Sequence, residues 1–295
     1  MEVLWKYRTS IFLCKCAILI ALKTKENVMK QGILFFDIDG TILTEDGTRR
    51  IPESTRRGIQ EAKGKGHLLF VNTGRVYLNI EPMIRDLGFD GYVCGCGTNI
   101  YYHGKELFHN QLPQTLCRET VAITRQCHMA TLFEASDVNA FDHSMEGNRK
   151  YRELIRYFSE SGRAMLDVED PDFHFDKFTG WFPLEQDMQV FHSFIKGQFD
   201  YIDRGRDGKY GMCEIVPCGY SKGTGIRYLL DYFGLPLENS YAFGDSTNDL
   251  PMLTYAAHAV AMGGSAAVVQ EAVEYVTDGI EEDGLYHAMQ HYGLV

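Results

Sequence analysis

The chain has 295 residues, 45% of them hydrophobic and 23% charged, with a net charge of −11. That length allows one large or two ordinary domains with ample core, and the composition carries no biased tract. The acidic balance excludes a nucleic-acid surface, which needs a basic face. It leaves room for a phosphorylated small molecule wherever a metal ion and a lysine or two invert the local field.

Residues 1–28 differ from the rest of the chain. The stretch 11–22 is apolar but interrupted by Lys15 and flanked by Lys6, Arg8, Lys23 and Lys25. A membrane span needs about 20 apolar residues, and a signal peptide needs an unbroken apolar region with a small-residue cleavage site. Neither pattern fits, so no membrane association is expected. Residues 1–28 are expected to be a non-native or disordered upstream extension, with Met29 the true start. The eight cysteines (14, 16, 94, 96, 117, 127, 213 and 218) include no C-x-x-C pair, which points to reduced thiols in a cytoplasmic protein.

The patterned chain opens with Ile33-Leu34-Phe35-Phe36-Asp37-Ile38-Asp39-Gly40-Thr41. Its start is too short for a helix and too apolar for a half-exposed strand, and predicts a strand buried on both faces of a parallel sheet. In such sheets ligands bind beyond the carboxyl ends of the strands, where this one meets two carboxylates and a glycine. Asp37 and Asp39 would repel as bare anions, and a divalent cation, a shared proton or a phosphoryl group offsets that repulsion. Ile51-Pro52-Glu53 starts a helix that Gly64 and Gly66 end. A second buried strand over 67–71 runs into Asn72-Thr73-Gly74-Arg75. A helix is expected over 76–87 and a third strand over 92–94, before Gly95-Cys96-Gly97. This alternation predicts a doubly wound, mainly parallel sheet.

Near Pro113 the rhythm changes. Helices over 114–127 and 148–158 and strands about 129–134 and 140–141 are followed by a long mixed stretch. Two runs, 199–203 and 210–216, then flank Arg206-Asp207-Gly208-Lys209 as a hairpin. Together they predict a separate α+β module. Ser221 next opens a helix with Ile226, Leu229, Leu230 and Phe233 on one face, stopped by Gly234. A strand over 241–243 ends at Gly244-Asp245-Ser246-Thr247-Asn248-Asp249. A helix over 250–256, a strand over 259–262 and a helix over 266–275 complete the sheet. The expected fold class is α/β: a doubly wound core from 29–111 and 214–295, with an α+β module inserted at 112–213.

Asp37-Ile38-Asp39-Gly40-Thr41 resembles the D-x-D-G-T signature of the haloacid dehalogenase superfamily, the aspartate-nucleophile phosphohydrolases. Val71-Asn72-Thr73-Gly74-Arg75 resembles its second motif, and Ser221-Lys222-Gly223-Thr224-Gly225 its third. Gly244-Asp245-Ser246-Thr247-Asn248-Asp249 resembles its fourth, G-D-x-x-N-D. All four stand in the superfamily's order, and the resemblance runs from Met29 to the C-terminus. The module over 112–213 is similar to the cap of the Cof-type (class IIB) branch, whose members mostly hydrolyse sugar phosphates and related metabolites. One departure is Cys96-Gly97-Thr98-Asn99-Ile100, with cysteine where the branch often has the asparagine of N-G-A-x-I.

The resemblance implies a magnesium-dependent phosphatase acting on a small phosphorylated metabolite, as a monomer or homodimer without nucleic acid or membrane. Asp37 would be the nucleophile and Asp39 the acid–base partner. Thr73, Gly74, Lys222 and Asn248 would hold the phosphate. A lysine in the first turn of a helix is electrostatically misplaced unless an anion shares that end, which favours an anion-binding Lys222 over a solvated surface lysine. Asp37, Asp245 and the backbone carbonyl of Asp39 would ligate Mg2+, with Asp249 in support or merely a favourable acid at a helix start. Arg75 would hold substrate or cap a helix. In the cap, His174, Asp176 and Lys177 alternate with aromatics and are candidates for specificity, although any half-buried strand alternates so. A phosphomutase and a non-catalytic phospho-ligand sensor compete with this reading.

Overall fold

The computed structural model describes residues 31–295; the extension expected at 1–28 and its boundary at Met29 lie outside them. β1 (Ile33–Phe36) is buried along its whole length. Leu34 and Phe36 pack into one core cluster and Ile33 and Phe35 into another on the opposite face, as a strand covered on both sides requires. α1 (Glu53–Gly64) begins after Pro52 and carries Glu53 in its first turn and Lys63 in its last, each favourable for the helix dipole. β2 (Leu68–Asn72) pairs in parallel with β1 and then with β3 (Gly91–Cys94).

The helix expected over 76–87 does not form. Only a 3₁₀ turn at Tyr77–Asn79 and one turn of α-helix, α2 (Pro82–Arg85), are present. Pro82 is the reason: the residue before a proline is pushed out of the helical region, and Glu81 is extended at φ −66°, ψ 150°. β4 (Asn99–Tyr102) and β5 (Lys105–His109) add an unexpected antiparallel edge beyond β3.

The chain then builds a second sheet. Its elements are α3 (Gln114–Gln126), β6 (Ala130–Glu134), β7 (Asn139–Phe141), α4 (Arg149–Glu160) and β8 (Met165–Asp167), followed by β9 (Lys177–Pro183), α5 (Gln189–Ile195), β10 (Phe199–Asp207) and β11 (Tyr210–Pro217). The strand order is β10-β11-β9-β6-β7-β8, antiparallel except for β7 with β8. Phe133 and Phe178 pack on one face, Leu132 and Trp181 on the other.

α6 (Lys222–Phe233) returns to the first sheet, capped by Ser221 and ended by Gly234 in the left-handed region. β12 (Ser240–Gly244), α7 (Leu250–Leu253), β13 (His258–Ala261), α8 (Ala267–Gln270), β14 (Tyr275–Val276) and α9 (Gly284–His291) follow. The expected helices over 250–256 and 266–275 are each a single turn. The second stops because Tyr275 and Val276 pair with β13. The sheet runs β14-β13-β12-β1-β2-β3-β4-β5, parallel from β14 to β3. Strand order therefore reverses between β1 and β12, the crevice where open α/β sheets bind ligands. Among the described residues no helix is long and apolar enough to cross a membrane, and the six described cysteines are free thiols.

Candidate active site

Asp37 leaves β1 and Asp245 leaves β12, so the crevice brings them together from residues 208 positions apart in the chain. The loop after β1 is tight: the Ile38 carbonyl accepts N–H groups from Thr41, Ile42 and Leu43. Gly40 sits at φ +75°, and a Cβ there would lie 2.4 Å from Asp245 Oδ2. Only glycine lets the two loops close this far. Oxygens of Asp37, Asp245 and Asp249 then lie within 4.8 Å of one another.

Lys222, the first residue of α6, is buried rather than solvated. Its Nζ donates to Asp37 Oδ1 at 2.6 Å and to Asp249 Oδ1. Asp249 spends its other oxygen on the N–H groups of Asp245 and Ser246, both at 3.0 Å. It is a brace that fixes the lysine and the loop after β12. Burial, then Asp249, pushes the Asp37 carboxyl up to about 8 against the pull of Lys222. Burial, Asp249 and Glu45 push Asp245 up to about 7. Burial works against the Lys222 ammonium, but Asp249 and Asp37 more than offset it and hold its pKa above the ordinary lysine value. Three carboxylates around one cation remain short of positive charge, and Asp37 and Asp245 offer oxygens a hard divalent cation takes. The donor set fits such an ion.

Asp39 points to a different partner. Arg75 grips it with two bonds, Nε to Oδ2 at 2.9 Å and Nη2 to Oδ1 at 2.6 Å, and also bonds Glu81 and the Asn79 carbonyl. The guanidinium expected to hold substrate or cap a helix thus has its fork occupied by Asp39 and Glu81. Thr73 is buried at the end of β2, and its hydroxyl accepts the Arg75 N–H at 3.2 Å. Asn248 accepts the Ser246 hydroxyl through Oδ1.

These residues surround a cavity of about 440 Å³. Asp37, Thr73 and Asp245 form its floor, and Glu134, Lys177 and Glu214 from the second sheet its roof. Gly74 lies between, close enough that a Cβ would stand 2.9 Å from Glu214 Oε1. Of the three cap candidates only Lys177 lines this cavity. His174 is exposed beside Asp137, and Asp176 is buried against His109 at 2.7 Å; both line a separate cavity. Glu134 and Glu214 were missed by sequence reasoning. The available signal was a carboxylate inside an apolar strand run, Ala130-Thr131-Leu132-Phe133-Glu134 and Cys213-Glu214-Ile215.

Comparison with known proteins agrees with this geometry. Residues 34–289 match the model of the haloacid dehalogenase-like hydrolase family. YkrA of Bacillus subtilis is 28% identical over 279 residues, covering 90% of this chain and 100% of that protein. The 5-amino-6-(5-phospho-D-ribitylamino)uracil phosphatase YitU of Bacillus subtilis is 26% identical, covering 89% of this chain and 98% of its own. The solved structure of the HAD subclass IIB sugar phosphatase BT4131 superposes with a TM-score of 0.74 at 26% identity, over 90% of this chain and 100% of that one.

Proposed function

The chain belongs to the haloacid dehalogenase-like hydrolase family as a phosphatase, and from that premise we propose that it hydrolyses a small phosphorylated metabolite through an aspartyl-phosphate on Asp37. One observation carries the reading. The two carboxylates at the end of β1 have different partners: Asp37 faces Lys222 on the cavity floor, and Asp39 is gripped by Arg75. Two like groups in unlike surroundings can take two roles.

In this reading the substrate phosphate enters over Asp37, with Thr73, the backbone at Gly74, Lys222 and Asn248 donating to its oxygens. Asp37 attacks phosphorus. The bond from phosphorus to the leaving oxygen breaks as Asp39 gives that oxygen a proton. Asp39 then takes a proton from water, which attacks the aspartyl-phosphate and frees phosphate and Asp37. Arg75 orients Asp39 for both transfers, and Asp249 keeps Lys222 in place. Asp37, Asp245 and the Asp39 carbonyl would hold Mg2+, which when bound offsets the charge of the carboxylates and the phosphoryl group. The named activities of YitU and BT4131, a ribitylamino-pyrimidine phosphate and sugar phosphates, support a substrate of metabolite size. The 440 Å³ cavity suits one.

The test is phosphate release from a panel of sugar phosphates, pyridoxal phosphate, flavin mononucleotide and p-nitrophenyl phosphate, with magnesium or EDTA. Release by the wild type that needs magnesium and is lost in Asp37→Asn is expected. Release that persists in Asp37→Asn would remove Asp37 as nucleophile, and no release from any compound would remove the activity.

A further inference from the structure

The Asp39–Arg75 pair leans on a short piece of backbone, and that backbone is tied to the second sheet. Besides Asp39, the Arg75 guanidinium bonds the Asn79 carbonyl at 3.3 Å and the Glu81 carboxylate. Both partners lie at or just beyond the 3₁₀ turn Tyr77–Asn79. Arg49 adds a bond to Glu81 at 2.7 Å from the solvent side. The other side of the same turn meets the tip of the β6–β7 hairpin, which the Ala135 N–H closes on the Val138 carbonyl at 2.9 Å. Glu134 and Asn139 stand opposite each other across that hairpin, and both reach Asn79. The Asn79 and Asn139 amides exchange two bonds, each 3.1 Å, and Asn79 Nδ2 also donates to Glu134 Oε1 at 3.3 Å. One residue earlier, the Leu78 N–H donates to the Ser136 carbonyl at 3.1 Å.

Asn139 is fully buried and Asn79 nearly so. Burying two amides costs desolvation that apolar side chains in the same place would avoid. What the amides add is direction: a reciprocal pair, fully bonded, admits one register, whereas apolar side chains can slide past one another. Proton transfer demands such precision, since a shift of about 1 Å at a reacting group can cost about a hundredfold in rate. Neither amide lines the phosphate cavity. Their path to the reaction runs through the turn, to Arg75 and then to Asp39.

Resting on the phosphatase reading above, we infer that Asn79 and Asn139 are positioning residues for the proton transfers. They fix the turn that holds Arg75, and Arg75 aims Asp39 at the leaving oxygen. The amide on β7 thus acts on an acid at the end of β1, in the other sheet, without touching substrate.

The test compares kcat/KM for benzyl phosphate and p-nitrophenyl phosphate in the wild type and in Asn139→Ala. The two esters are similar in size, but benzyl alcohol leaves as a strongly basic oxygen that needs a proton, whereas nitrophenolate departs readily without one. The ratio kcat/KM reports the step in which Asp39 acts as acid, whichever later step limits turnover. A positioned acid contributes about a hundredfold or more, so Asn139→Ala should lose about tenfold or more on benzyl phosphate and about threefold or less on p-nitrophenyl phosphate. In an Arg75→Ala background, where the link is already cut, adding Asn139→Ala should change the ratio between the esters by less than about twofold. Equal losses on both esters, as a merely structural role would give, overturn the inference, and so does a further tenfold change in the Arg75→Ala background. If circular dichroism shows Asn139→Ala unfolded, Asn79→Ala takes its place with the same expectation; unfolding of both marks a structural pair and overturns the inference. Silence of the wild type on both esters, by contrast, refutes the phosphatase reading itself and this inference with it.

Discussion

Replacing Lys222 with methionine tests the electrostatics of the floor most directly. Methionine keeps the length and most of the packing, and removes the ammonium bonded to Asp37 and Asp249. In the wild type Asp37 and Asp245 titrate at about 8 and about 7, above the ordinary carboxylate value of 3.8. The folded state therefore binds more protons than the unfolded state between pH 4 and 8, and without metal its stability falls as pH rises through that window. Lys222 lowers both values, so Lys222→Met raises them and steepens the fall. With the carboxylates ionised, breaking a buried pair costs about 3–5 kcal/mol. Near pH 5 the acids take up protons instead, and the loss shrinks to about 1 kcal/mol, that of one hydrogen bond. Urea denaturation of both proteins in EDTA at pH 5 and pH 8.5, followed by circular dichroism, measures the difference. Magnesium at pH 8.5 should recover part of the loss by supplying the missing charge. A loss equal at the two pH values, or larger at pH 5, refutes this account of the floor.

The same titrations set the pH dependence of cation binding. Asp37 and Asp245 must be deprotonated to serve as ligands, so binding releases protons, and magnesium affinity rises by about tenfold or more from pH 6 to pH 8. Isothermal titration calorimetry in buffers of different ionisation enthalpy counts those protons, and a pH-independent affinity contradicts the assignment. Gly40→Ala should cost about 1–3 kcal/mol from its left-handed backbone. It should also weaken magnesium binding by displacing Asp245, which a Cβ would meet at 2.4 Å. Gly64→Ala, with no atom within 4 Å of its added Cβ, should leave magnesium binding intact and stabilise the protein by about 0.4–1 kcal/mol; thermal melts with and without magnesium separate the two variants.

The parallel strands were legible because burial on both faces leaves an unmistakable run of apolar residues, and Ile33–Phe36 is such a run. The candidate site residues at their ends were legible for a related reason: Asp37, Thr73 and Asp245 follow a buried strand immediately, so position and residue type are read together. The single-turn helices were not legible, because apolar spacing alone does not register the Pro82 veto or the pull of β13 on Tyr275.

The roof was hidden for a different reason. Glu134, Lys177 and Glu214 come from three strands up to 80 positions apart; Lys177 stood out by its alternation with aromatics, but nothing local placed the two glutamates beside it. Their meaning comes from pairing across β6, β9 and β11, which no local pattern encodes. Arg75 shows the same limit inside a recognisable motif. Thr73-Gly74-Arg75 marked an anion site, but the partner of the guanidinium, Asp39, is supplied by β1. Pattern thus marks the proposed phosphate site, because Asp37, Thr73 and Asp245 each follow directly on a strand end. It leaves the roof of the cavity unread, because that surface exists only once two sheets have been assembled over one cavity.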